Sequence, residues 1–153
     1  MPSSWAHEAH KAQAIAARSY ALANLGKRAK LGFDLKDTPE DQAYNGASAE
    51  TAGTNSAVDD TKGIVLTYNM QVISAYYSAS AGGQTNTNNW GSSLPYLRSV
   101  PSFDENIKKN GHGVGMSQHG ANNLAKQGYN AYQILQYFYK DVKFAKINPK
   151  SYN

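Results

Sequence analysis

Across residues 5–30 the apolar positions are mostly alanine, and neither proline nor glycine intervenes before Gly26, so the pattern predicts one long helix. Pro2, Ser3 and Ser4 supply its start, with a serine as N-cap, and Glu8 falls in the first turn, where the helix dipole favours an acid. The alanines keep this helix slim, so neighbouring backbone can approach closely and the helix is expected at the centre of the fold. Residues 55–61 read as a short helix. Two β-rich runs, 64–68 and 72–77, flank Asn69-Met70-Gln71 at the spacing of an antiparallel hairpin. Nearer the C-terminus the periodicity predicts a helix over 117–127 that stops at Gly128. A second helix is predicted over 131–140, with Ile134, Leu135 and Phe138 on one face. Residues 32–53 and 78–110 read as loop, and a loop as long as the second is more often functional than idle. The expected fold class is α+β: a long Ala-rich helix packed on a small antiparallel sheet, with two C-terminal helices closing the core. The domain is expected over residues 1–141, with 142–153 as a tail.

Composition narrows the function. A chain of 153 residues, 41% hydrophobic and 17% charged, has the size and balance of one soluble domain. Its formal charge of +4 is modest and its 15 Lys and Arg form no run longer than a pair, which argues against a nucleic-acid partner. A mild positive charge still draws a protein to an anionic polymer. The absence of cysteine rules out disulfides and thiolate zinc sites. No stretch reaches the length of a membrane helix and no leader opens the chain, so any export signal or anchor is expected outside these residues. Eleven tyrosines offer flat apolar faces carrying hydroxyls, which suit sugar rings and half-buried strand positions alike.

Candidate chemistry gathers in a few places. Glu8, the one acid in the first 26 residues, reads either as a general acid at the head of a helix or as an ordinary first-turn acid. Lys11 one turn on, His7 beside it and the helix N-terminus all favour its charged form, whereas a general acid must hold a proton. His112 lies between Gly111 and Gly113, and such glycines let backbone come close to a ligand. Ser117 and Gln118 follow, at the start of a helix whose free amides could face a cleft. Ser78, Ser80 and Gln84 stand in a small polar loop after a strand. With Tyr77 and Trp90 they offer hydroxyls and aromatic faces to a sugar, or else form a tight turn that needs small residues. Arg18 reads as a carboxylate ligand or as a structural hydrogen-bond hub. No phosphate-binding glycine loop is present and no metal or other cofactor is expected.

Five segments in order carry a resemblance to a known family. They are Glu8-Ala9-His10-Lys11-Ala12-Gln13-Ala14-Ile15-Ala16-Ala17-Arg18-Ser19-Tyr20-Ala21-Leu22, Asp41-Gln42-Ala43-Tyr44-Asn45-Gly46, and residues 57–68 running on through Tyr77-Ser78-Ala79-Ser80-Ala81-Gly82-Gly83. After these come Trp90-Gly91 with Pro95-Tyr96-Leu97, and Gly111-His112-Gly113-Val114-Gly115-Met116-Ser117-Gln118-His119-Gly120-Ala121. Together they resemble the stage II sporulation protein D (SpoIID/LytB) family. The resemblance implies a protein outside the cytoplasm, at the cell wall, whose partner is the glycan strand of peptidoglycan. It acts either as a lytic transglycosylase or as a module that stimulates an N-acetylmuramoyl-L-alanine amidase. In the first reading one carboxylic acid protonates the glycosidic oxygen leaving C1 of N-acetylmuramic acid, then takes the proton of the C6 hydroxyl as an anhydro ring closes. Three departures accompany the resemblance. The family's Glu before Met-Pro has no counterpart ahead of Met1-Pro2, so the chain is expected to lack its N-terminal catalytic segment. Lys36 and Asp41 stand where relatives often carry zinc-binding cysteines, and the stretch between Pro95 and Gly111 is short.

Overall fold

The computed structural model describes residues 1–30, 52–87 and 94–147. The segment 41–46, Lys36 and Trp90 lie outside these residues. In chain order the elements are α1 (His7–Lys30), α2 (Ala52–Asp60), β1 (Ile64–Tyr68), β2 (Gln71–Val72), β3 (Tyr77–Ser78), β4 (Met116–Ser117), α3 (Gln118–Lys126), α4 (Ala131–Phe138) and β5 (Lys143–Lys146). The fold is α+β, with α1 against a three-stranded antiparallel sheet in the order β2-β1-β5 and two helices following late in the chain.

The small side chains of α1 account for its place. Ala9, Ala12, Ile15, Ala16 and Ser19 are fully buried, and the Ser19 hydroxyl donates to the Ile15 carbonyl at 2.7 Å while accepting the Leu66 amide at 2.9 Å. A larger residue at 19 would push β1 off the helix. The helix starts two residues later than the sequence predicts, and not on a serine. Pro2 to Trp5 form a turn, the Ala6 carbonyl accepts the amides of Ala9 and His10, and the Ala6 amide is met by Asn122 Oδ1 at 2.9 Å. Arg18 proves to be the hub: its guanidinium donates to the carbonyls of Thr61 at 2.6 Å and Ile64 at 2.8 Å, gathering the end of α2 and the start of β1.

The hairpin between β1 and β2 turns on Asn69 and Met70, both at positive φ, with Tyr68 opposite Gln71. The second run does not continue as one strand. The Tyr76 amide folds back onto the Ser74 carbonyl at 2.9 Å, and Tyr77–Ser78 instead pairs in parallel with Met116–Ser117. Beyond residue 141, Lys143–Lys146 is not a tail but the third strand, antiparallel to β1 with Val65 opposite Ala145. The two later helices end close to their expected positions. Ser117 caps α3 by accepting the Gly120 amide, and Asn130 and Gln133 form a reciprocal capping box at α4. Leu66, Ile73, Met116, Leu124, Ile134, Leu135, Phe138 and Tyr139 fill the core beneath α1.

Candidate functional site

The parallel pair β3–β4 places Tyr77 beside Met116 and Ser78 beside Ser117. The loop after β3 is stitched to the segment before β4 by backbone pairs between Ser80 and Asn110 and between Asn86 and Val114. Tyr77, Ser78, His112, Ser117 and Gln118 are thereby brought together. Ser80 is spent on structure, its hydroxyl donating to the Lys108 carbonyl at 2.6 Å. Gln84 turns away to donate to the Ser99 hydroxyl at 2.8 Å. Glu8 stands elsewhere: its Oε1 accepts the Ala131 amide at 2.9 Å at the head of α4, and its Oε2 pairs with Lys11 at 3.2 Å.

The glycines of residues 111–120 serve the chain's own packing. A Cβ on Gly111 would stand 2.8 Å from Ser78 Cβ, and one on Gly120 would stand 1.9 Å from the Ser102 carbonyl oxygen. Ser78 itself is buried, and its hydroxyl has no hydrogen-bond partner among the described residues. Such an orphan costs about 1–3 kcal/mol unless a visiting polar group meets it.

Asp104, which the sequence reading did not single out, organises the whole region. Its Oδ1 accepts the Gly83 amide at 2.8 Å and the Ser102 hydroxyl at 2.5 Å, and its Oδ2 accepts the Ala81 amide at 2.7 Å and the Ser117 hydroxyl at 2.6 Å. All four lone-pair positions of the carboxylate are filled. Burial would raise its proton affinity, but the hydrogen bonds from Ser102, Ser117, Ala81 and Gly83 overcome this and hold it below the ordinary aspartate value. Asp104 is therefore a charged fastener between the loop after β3 and the cap of α3, with no lone pair left for proton transfer.

Next to this fastener runs a line of half-buried and exposed polar and aromatic side chains. Trp5 meets His119 edge-on with ring centroids 4.7 Å apart, and the neighbouring Gln118 donates to Gln13 Oε1 at 3.1 Å. Seven residues further along α1, on the same face as Gln13, Tyr20 meets Tyr76 at 5.5 Å, and Tyr76 in turn meets His112 at 6.0 Å. The result is a row of side chains beside α1, with aromatic ring contacts at each end and two amides between. Trp5, Gln13, Tyr20 and Tyr76 were missed from sequence. The signal that could have found them is the seven-residue spacing of Gln13 and Tyr20 on a helix whose intervening positions are mostly small.

The His112 ring accepts the Val114 amide at Nδ1, 2.9 Å. Burial of the ring lowers its proton affinity, the Lys109 charge lowers it further, and a hydrogen bond to the Tyr77 backbone pulls the other way, leaving it below the ordinary histidine value. The folded state thus binds fewer protons here than the unfolded chain, so this part of the stability is complete above about pH 6.5 and is lost as pH falls through the depressed folded value. Melting curves at intervals from pH 7.5 to pH 5 are expected to show a falling Tm. In His112→Asn, which keeps an acceptor without a titration, that fall is expected to be shallower, and equal slopes would show that His112 contributes nothing to it.

Among the described residues no group of three or more His, Cys, Asp or Glu could hold a metal ion, and no helix is long and apolar enough to cross a membrane. Comparison with known proteins gives related sequences. The model of a family described as stage II sporulation protein matches residues 1–68. A Bacillus subtilis protein named amidase enhancer is 48% identical over 99 residues, covering 63% of this chain and 13% of that protein. An uncharacterized protein of Brachyspira hyodysenteriae is 42% identical over 103 residues, covering 65% of this chain and 28% of its own. Stage II sporulation protein D of Bacillus subtilis is 26% identical over 245 aligned positions, covering 97% of this chain and 71% of that protein. That alignment is longer than the 153-residue chain, so the sporulation protein carries residues this chain lacks. The chain spans less than a third of the first two relatives.

Proposed function

We propose that this chain is a member of the stage II sporulation protein D family, which it resembles over residues 1–68 and in its relatives, and that it engages the glycan strands of peptidoglycan along the row of side chains between Trp5 and His112, as part of cell-wall processing outside the cytoplasm. The two sets of contacts on one face of α1, Trp5, His119, Gln118 and Gln13 at one end and Tyr20, Tyr76 and His112 at the other, carry this reading. A sugar ring presents an apolar face and a rim of hydroxyl and acetamido groups, and aromatic rings set beside amides match both. Gln13 and Tyr20 lie about 10 Å apart along the helix at 1.5 Å per residue, on the scale of two linked sugars.

Lytic cleavage, the first activity implied by the resemblance, needs a carboxylic acid at the glycosidic oxygen. Glu8 is committed to Lys11 and the α4 amide, and Asp104 is saturated. The second reading, presentation of the strand to a partner amidase, draws support from the 48% identity to the amidase enhancer.

Co-sedimentation with purified sacculi tests this reading. The wild-type chain is expected to pellet with them, and Trp5→Ala and Tyr20→Ala are each expected to weaken binding about tenfold, the equivalent of about 1.4 kcal/mol for one aromatic face, with circular dichroism unchanged. A wild-type chain that stays in the supernatant would sink the proposal. Mass spectrometry of the same digests separates the two readings. Anhydromuramic ends would mean that the chain itself cleaves, and faster stem-peptide release by an added amidase would mean that it assists.

A further inference from the structure

Lys109 is an exposed cation whose stem lies against bare backbone. Its stem crosses two glycines: a Cβ on Gly82 would stand 3.3 Å from Lys109 Cβ, and one on Gly113 would stand 2.9 Å from its Cε and 3.5 Å from its Nζ. The same point above Gly113 is 3.1 Å from Asn86 Nδ2, and that amide donates to the His112 carbonyl at 3.1 Å. The lysine stem therefore lies over the bare glycine faces, with its ammonium near Asn86 and His112, at the Tyr76 end of the row. The Lys109 charge is felt by the His112 ring. Among the described residues no carboxylate pairs with Lys109, whereas Lys11 and Arg98 each have one. Lys109 is exposed, so its ammonium is open to a partner from solvent while its stem lies over the two glycines.

We infer that Lys109 is a specificity residue that receives a carboxylate of the bound glycan at the His112 end of the row of side chains beside α1. The inference rests on the glycan-binding reading above and adds to it the charge of the ligand. In peptidoglycan the carboxylate comes either from the lactyl ether of muramic acid on a bare strand or from the peptide stem of a substituted one. A strand made of N-acetylglucosamine alone has neither.

Isothermal titration at low salt with three probes decides the matter: a neutral N-acetylglucosamine oligomer, bare peptidoglycan glycan of similar length, and the same glycan with its stems. The variant is Lys109→Met, which keeps an unbranched stem over Gly82 and Gly113 and removes the charge. Wild type is expected to bind the carboxylate-bearing strands about fivefold more tightly than the neutral oligomer. That is the gain of one ion pair worth about 1 kcal/mol, and added salt is expected to erode it. Lys109→Met is expected to lose this preference and keep its affinity for the neutral oligomer. If the preference holds for the bare strand, the lactyl group is the source, and if it needs the stems, the peptide is. Wild type that binds all three probes equally, or a variant that keeps the preference, overturns the inference and leaves the glycan reading standing. Wild type that binds no probe overturns both.

Discussion

Replacing Gly115 by alanine is expected to leave almost no folded protein. The new Cβ would stand 1.9 Å from the Tyr76 carbonyl oxygen and 3.2 Å from Tyr139 Cε1. That carbonyl cannot withdraw freely, because it accepts the Met116 amide at 3.1 Å and the hydroxyl of the fully buried Tyr139 at 2.5 Å. Moving it breaks both bonds inside the core, at about 1–3 kcal/mol for each buried group left unmet. Gly115 also holds φ at +78°, a conformation that costs an alanine about 1–2 kcal/mol. Together these losses approach the whole stability of an ordinary domain, about 5–15 kcal/mol. Soluble yield and far-ultraviolet circular dichroism after refolding check the expectation. A Gly115→Ala chain that melts within a few degrees of wild type would show that the approach of Tyr76 is not required.

The second large effect is expected at Asp104. Asparagine has nearly the same shape, but its amide nitrogen brings two donors to a place where two backbone amides and two serine hydroxyls already donate. The hydroxyls of Ser102 and Ser117 can rotate, whereas the amides of Ala81 and Gly83 cannot, so Asp104→Asn either faces donor with donor or breaks the fastener. Losing charge-assisted hydrogen bonds here is worth about 3 kcal/mol or more, which for a domain of this length lowers Tm by about 6–12 °C. The pH dependence gives an independent check. Because the folded-state value of Asp104 is depressed, its contribution is complete above the ordinary value near 3.8 and disappears as pH falls through the folded value. The gap in Tm between wild type and Asp104→Asn is therefore expected to be wide at pH 6 and to narrow below pH 3.8. A constant gap would mean that the loss is one of shape rather than charge.

Much of the architecture was legible where local pattern and tertiary role agree. The run of alanines required a slim helix, and α1 is buried on several sides for that reason. Gly128 marked the boundary between α3 and α4, where the structure adds the Asn130–Gln133 box at the head of α4. Legibility ended where a residue's role depends on distant partners. Residues 72–77 have the composition of a strand, but the turn at Tyr76 hands the chain from one sheet to another. Lys143-Phe144-Ala145-Lys146 is too short to declare itself and becomes a strand because β1 has an open edge. Ser-Phe-Asp at 102–104 gives no hint that four donors from residues 81, 83, 102 and 117 will converge on one carboxylate. The glycines beside His112 were read as letting backbone approach a ligand, and what lies against them in the structure is the chain's own Ser78, Asn86 and Lys109.

Several of these contacts also constrain how the protein comes to be folded. The cap on the start of α1 comes from Asn122, 116 positions later, and the contact of Glu8 with the Ala131 amide spans 123 positions. The Ala-rich helix can wind early, as a local structure, but its buried faces have nothing to rest on until the last third of the chain has arrived. A topology closed by its two ends in this way pays a large loop entropy before any of these contacts forms, which places it among slow folders rather than helical bundles. A nascent chain stopped before residue 131 lacks Ile134, Leu135, Phe138 and Tyr139, four of the largest side chains of the core. A first helix whose cap and head contact come from more than a hundred positions away therefore stays without those supports until α3 and α4 have been made.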